Sequence, residues 1–303
     1  MKWPTRQADF DDLKKRLSAY RCNQGSGLAG IASEKVLDTL AMQIVASQRR
    51  EDYYKLIQRK TISAARANPN SGNFDAERAV AFHLQQGNSN EACWLIFLMT
   101  HFARHPNSGW KRLGDVYGLL GQGTLTWEKY IADPQAFTEW LEQNWSLVGG
   151  AFGNHRKYES LRPDANRPFA RVLQSYVQLV GDDHQQFFTS LNLDETNDPF
   201  DVIFMSLNIL GFGRLAKFDY LMLLARYGIL QVGPRSAYLG GATGPKLGAK
   251  LLFMSDPNAE ISDNELQSKL DHLDDDLALG MEVLEDALCN WQKSPDKFVH
   301  FVG

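Results

Sequence analysis

The run NSNEACWLIFLMTHFARH, residues 88–105, sets the first constraint on this chain. It opens on an Asn/Ser cap and is then apolar on nearly every side. A helix of that kind has no face to give to water, so the run predicts a central buried helix wrapped by others. Its longest apolar segment, Trp94–Thr100, is far too short to cross a bilayer. Other stretches carry helical spacing too: EKVLDTLAMQIVAS puts Val36, Leu37, Leu40, Ile44 and Val45 on one face. DPQAFTEWLEQNW and SDNELQSKLDHLDDDLALGMEVLEDALCNW both begin at cap residues. Strand-like alternation is scarce, and the chain reads as all-α.

Charge and cysteine content narrow the class. The net charge of −4 hides an asymmetry: residues 256–286 hold 11 acids and one base, and the remainder has 31 basic against 25 acidic residues, a balance of +6. One acidic helical segment, read as a solvated face, thus masks a mildly basic body. The three cysteines, Cys22, Cys93 and Cys289, lack pairing or zinc spacing. The charged beginning MKWPTRQADFDDLKKRL has no apolar signal segment, and a cytoplasmic protein is expected. His101 and His105 lie four apart without a carboxylate or cysteine at ligand spacing, so they read as helix-end histidines and no metal is expected.

Three glycine-bearing stretches interrupt the helices: LVGGAFGNHRKYESLRPDANRP, NILGFGRLAKFDYLMLLARYG and VGPRSAYLGGATGPKLGAK. None matches a Walker loop or follows a strand as a dinucleotide motif would, so no nucleotide cofactor is expected. In the second, Ile209, Leu210 and Phe212 would anchor a hairpin, Gly211 and Gly213 would permit its bends, and a helix would start near Arg214. Amides at such a helix start form an anion site suited to a DNA phosphate, although Gly-x-Gly between helices is also an ordinary turn. The first stretch is the best basic patch: His155, Arg156, Lys157, Arg162, Arg167 and Arg171 outnumber Glu159 and Asp164, with Tyr158 as a possible stacking ring. The same residues also suit a loop of surface ion pairs.

Residues 209–214 resemble the hairpin of the helix-hairpin-helix DNA glycosylase superfamily, which reads roughly Leu-Pro-Gly-Val-Gly-Arg. QIVASQRRED resembles that superfamily's early helix end, where Gln48 matches the glutamine that enters the gap left by an extruded base. GGAFGNHRKYESLRPDANRP, FGRLAKFDYLMLLAR, GATGPKLGAKLLF and EDALCNWQKSPDKFVHFVG together resemble the third clade of the alpha-glutamyl/putrescinyl thymine pyrophosphorylase family, over most of residues 25–303. The resemblance implies a glycosylase-like fold of two helical lobes flanking a DNA-binding cleft. Residues 1–60 with 190–303 would form one lobe, holding the hairpin at about 200–228, and residues 61–189 the other, with the basic loop 150–171. It also implies a DNA-base enzyme, and leaves the reaction open.

Departures from the pattern guide the choice. The Schiff-base lysine position holds Leu215, with Lys217 more than half a helical turn away, so lyase activity is not expected. The superfamily's aspartate position falls around Gly233–Ser236, and no Asp or Glu occurs from Tyr220 to Ser255. Breaking an N-glycosidic bond builds positive charge on the sugar, which an anion stabilises; Asp219 is the first candidate and Glu159 the second. Gln48, Tyr158, Lys217 and Trp291 are candidates for the base pocket or the vacated gap. Gly211, Gly213, Arg214, His155, Arg156, Lys157 and Arg162 are candidates for the DNA backbone. The expected activity is a monofunctional glycosylase removing a bulky modified pyrimidine, such as glucosylated hydroxymethylcytosine, from double-stranded phage DNA in anti-phage defence. The alternatives are a transferase that hypermodifies hydroxymethyl-uracil and a non-catalytic sensor of modified DNA.

Overall fold

The computed structural model describes residues 2–23 and 27–301. Among these it contains fifteen α-helices and no β-strand, an all-α fold. Two compact units emerge, one from the residues up to Tyr53 with Gly233–Phe301, the other from Tyr54–Val232. The boundary falls inside one long helix, Glu34–Gln58. Residues 190–232 therefore group with the central unit, where the sequence reading had joined them to the terminal lobe. The reason is the hairpin's second helix, Arg214–Arg226, which packs on the helix Ser89–Phe102.

That helix is the axis of the central unit. Every residue from Glu91 to Phe102 is buried, and Asn88 caps its start by accepting from the Glu91 amide at 3.2 Å. Its own carboxylate, Glu91, accepts from the Tyr117 hydroxyl and from the Trp127 amide at 2.7 Å. Burial pushes that carboxyl above its ordinary range, against the pull of both bonds. A second polar chain crosses the core. His184 Nδ1 and its amide both meet Asn90 Oδ1, at 2.8 and 2.9 Å, which makes Nδ1 the donor. Burial holds His184 at about 3, so its ring is neutral and Nε2 must accept, from the Tyr176 hydroxyl at 2.7 Å. Tyr176 in turn lies 2.9 Å from the Tyr220 hydroxyl, on the hairpin's second helix.

Glycine organises the terminal unit in a different way from that suggested by its sequence. VGPRSAYLGGATGPKLGAK reads as loop, yet its end forms the helix Gly244–Met254. This helix packs on the helix Met281–Trp291 so closely that a Cβ at Gly248 would stand 2.3 Å from the Leu288 carbonyl oxygen. The acidic segment is a solvated face only in part: Leu266, Leu270, Leu273 and Leu277 are buried while Asp271, Asp275 and Asp276 are exposed, but Asp274 accepts from the Leu279 and Gly280 amides, Glu285 is buried and Asp286 pairs with Arg50. Its helix, Asp263–Leu277, starts at a reciprocal capping box of Ser262 and Glu265. Trp291 is fully buried in this core.

Two stability measurements check this account. Gly248→Ala drives a methyl into backbone and should lower unfolding free energy by about 1–3 kcal/mol in chemical denaturation. Tyr176→Phe leaves His184 Nε2 without its donor and should cost about 1–3 kcal/mol, whereas Tyr220→Phe should cost less because the Tyr176–His184 bond survives.

Candidate functional site

The hairpin has the expected local structure. Its first helix, Pro199–Ser206, is capped by Asp198 with proline in the first turn, and the second begins at Arg214 after Gly213. Ile209 and Phe212 are buried, Phe212 stacking on Phe97 of the axial helix at 5.4 Å and 18°. The Leu210 amide donates to Ser175 Oγ at 2.9 Å. These contacts fix the tip from beneath. Gly211 has φ +81°, in the left-handed region, and a Cβ there would stand 3.2 Å from the Arg167 guanidinium. Gly213 is exposed, and a Cβ on it would meet nothing within 4 Å. No side chain caps the second helix, so its first-turn amides start at an open glycine.

Arg167 links the hairpin to the basic loop. Its Nη2 donates to Glu159 Oε1 at 3.2 Å, and the Glu159 side chain is only 4% exposed. Burial raises the Glu159 carboxyl, opposed by Arg167 and then Arg156. Glu159 is thus enclosed and engaged in holding Arg167 over Gly211.

Arg156 is the residue for which the sequence reading needs correction. Expected on a phosphate track, it is 4% exposed, turned inward by the short 3-10 turn Asn154–Arg156. Its Nε donates to the Thr100 carbonyl at 3.0 Å, near the end of the axial helix, where carbonyls lack intrahelical partners. Its Nη2 has no hydrogen-bond partner and lies 3.9 Å from Asp219 Oδ2. His101 beside it is stacked on Phe169 at 4.6 Å, and burial with the Arg156 and Arg167 charges pushes its imidazole down to about 3. His101 is therefore neutral and makes no use of the helix-end dipole as a cation.

Asp219 combines two properties. Its side chain keeps 44% of its exposure, yet burial is the largest influence on its carboxyl and raises it above the ordinary aspartate range. Both hold for a group surrounded by protein mass and open to solvent on one side. Arg156, His155, Arg226 and Arg214, in that order, oppose the rise. Arg226 lies seven residues after Asp219, two helical turns on the same face, a spacing the sequence displays but the reading did not use. Arg167 likewise stood in the basic stretch without being singled out.

The remaining candidates disperse. His155, Lys157 and Tyr158 are exposed, Tyr158 at 62%. Arg162 forms a paired contact with Asp164 at 2.9 and 2.7 Å, a surface ion pair. Lys217 lies over the Phe204 ring at 5.5 Å, across the hairpin from one helix to the other, and burial lowers its ammonium. Arg214 lies over Phe218 at 4.7 Å. Gln48 is half-buried in the terminal unit. Its helix continues to Gln58, so Gln48 is not at a helix end as the resemblance implied. Trp291, offered for the base pocket, is a core residue without solvent exposure. Among the described residues no group of three His, Cys, Asp or Glu is placed to hold a metal ion, and no helix is long and apolar enough to cross a membrane.

No curated protein and no solved structure matches the chain significantly. The model of the alpha-glutamyl/putrescinyl thymine pyrophosphorylase clade 3 family matches residues 35–303, and the chain belongs to that family.

Proposed function

We propose that this protein is a monofunctional DNA glycosylase that flips out a bulky modified pyrimidine and cleaves its N-glycosidic bond, leaving an abasic site. The family description names an enzyme of modified thymine, which supports a modified DNA base as the substrate. The candidate base is a glucosylated hydroxymethylcytosine in double-stranded phage DNA, and the role is defence in the cytoplasm. One observation carries the reading: Asp219, on the helix that follows the open hairpin tip, is solvent-accessible and 3.9 Å from a buried guanidinium nitrogen that lacks a partner.

In this scheme the hairpin amides and Arg214 hold a backbone phosphate. The base must leave the helix because its glycosidic carbon is inaccessible in the stacked duplex. The Asp219 carboxylate then stabilises the positive charge that grows on the sugar as the bond breaks. Arg156 favours the ionised form of Asp219 against the effect of burial. The base departs with the bonding electron pair. Water adds to the sugar carbon and gives up one proton, which neutralises the departed base, and Leu215 at the lysine position cannot form a Schiff base.

A second reading follows from the family description itself: a transferase that displaces pyrophosphate from an activated hydroxymethyl-uracil and installs an amine, with the glycosidic bond intact. Incubation with modified and unmodified phage DNA, followed by mass spectrometry, separates the two. Free base and abasic sites from modified DNA alone are expected; a heavier base on an intact strand supports the transferase, and unchanged DNA from every phage tested removes both.

Asp219→Asn should reduce base release by about 10²–10⁴-fold, while Glu159→Gln, which loosens Arg167, should reduce it far less. Retained recognition of modified DNA by wild type and both variants, with no base release by any of them, would leave a sensor. The pH profile gives an independent check. Asp219 acts when ionised and its carboxyl is raised, so the acid limb of single-turnover base release should lie above the ordinary aspartate value of about 3.9. Arg156→Gln removes a cation that favours ionisation and should move that limb to higher pH; Arg156→Lys should return it towards wild type.

A further inference from the structure

A cationic surface that the proposed reaction does not use lies in the terminal unit. Trp3 meets Phe298 edge-on at 5.7 Å and His300 at 5.2 Å, and Phe298 stacks with His300 at 6.5 Å and 25°. Gln43, buried in the Glu34–Gln58 helix, fastens this segment by donating to the Val299 carbonyl at 2.8 Å. Cations gather on the rings. The Arg49 guanidinium lies 4.5 Å from the Trp3 centroid and the Lys2 ammonium 5.6 Å from it, while Lys293 lies 4.6 Å from that of Phe301.

The neighbouring carboxylates are engaged by other cations: Asp9 and Asp52 both hold Arg6. Arg50, next along the helix, is neutralised by Asp286, which also accepts from Ser47. Lys2, Arg49 and Lys293 have no carboxylate within ion-pair distance among the described residues, and Lys293 reaches only the amide oxygen of Asn290 at 3.0 Å. His300 sits among Lys2, Arg50 and Arg49, and burial together with these charges lowers its imidazole. Trp3, Arg49, Phe298 and His300 are all part-exposed, and Lys2 and Lys293 are exposed. Like charges held over half-open aromatic rings repel one another in the absence of a counter-ion. A bound polyanion removes that repulsion, and cations interleaved with aromatic rings are the chemistry of a track for a nucleic-acid backbone.

We infer that Lys2, Arg49 and the Trp3–Phe298–His300 cluster form a second DNA contact that grips the phosphodiester backbone independently of base modification. It rests on the proposed function only for the choice of DNA as the polyanion.

Fluorescence anisotropy of the full chain with an unmodified duplex, over a salt series, tests it without any catalytic step. Each lost phosphate contact flattens the log–log dependence of affinity on salt by about 0.9. Lys2→Ala with Arg49→Ala should therefore flatten the slope by about 1.8, Arg49→Gln alone by about half of that, and Arg49→Lys should leave it unchanged. Thermal melting identifies variants that fold like wild type; should the double variant melt early, Arg49→Gln is the deciding variant. An unaltered slope in a well-folded variant overturns the inference, as does wild type that fails to bind the duplex. Polyglutamate displacing DNA at equal charge concentration would also overturn it, in favour of an acidic protein partner. Failure of base release with the slope change intact rejects the glycosylase reading and leaves this surface standing.

Discussion

A guanidinium removed from water must be held by groups that replace its hydration, and Arg156 is only partly so held. Its Nε takes the Thr100 carbonyl at the end of the axial helix, and its Nη2 faces Asp219 without a direct bond. This one side chain therefore connects the end of the most buried helix to the helix after the hairpin. The arrangement is tolerated because both neighbours are negative: a helix-end carbonyl carries part of the helix dipole, and Asp219 carries a carboxylate. After burial itself, Arg156 is the strongest influence on the Asp219 carboxyl, ahead of Arg226 and Arg214 on Asp219's own helix.

The hairpin gains its orientation from the same axis. Phe212 stacks on Phe97, and Tyr220 closes the polar chain through Tyr176 to His184 and Asn90. Rigid aromatic and hydrogen-bonded contacts below leave the glycines above free of packing duties, except where Arg167 crosses Gly211. A glycine tip on a fixed base suits the approach of a rigid polymer: side chains do not intervene, and no ordering of the loop has to be paid for on binding.

What the sequence made legible was local. Asn88, Asp133 and Ser262 were readable as helix starts because a cap is a short-range bond to an amide two or three residues on, and each is found making it. The hairpin tip was readable because its apolar anchors and glycines are adjacent. The rest depended on partners distant in sequence. Gly248 looked like loop until Leu288, forty residues later, supplied the carbonyl that forbids a side chain. In His155-Arg156-Lys157 nothing local says which cation turns inward; the 3-10 turn and the Thr100 carbonyl decide it. Gln48 was placed at a helix end by resemblance, although the residues after it, EDYYKLIQ, continue the helix. Trp291 shows the converse: a tryptophan near a functional-looking motif was packing, as large rings in cores usually are.

Charge around Asp219 weighs on the choice between hydrolysis and transfer. One accessible carboxylate is acted on by Arg156, His155, Arg226 and Arg214. A transferase installing an amine would bring a cation into this field, and three guanidinium groups oppose the binding of that ammonium. Glu159 does not relieve this, since its carboxylate is enclosed and already shared with Arg167. A glycosylase asks for the opposite. The strand arrives as an anion, and the base departs with the electrons of the broken bond, so both are drawn by the surrounding cations. The only positive charge that develops, on the sugar, needs one nearby carboxylate. A field that is cationic at its border and anionic at a single point matches bond cleavage and works against capture of an amine.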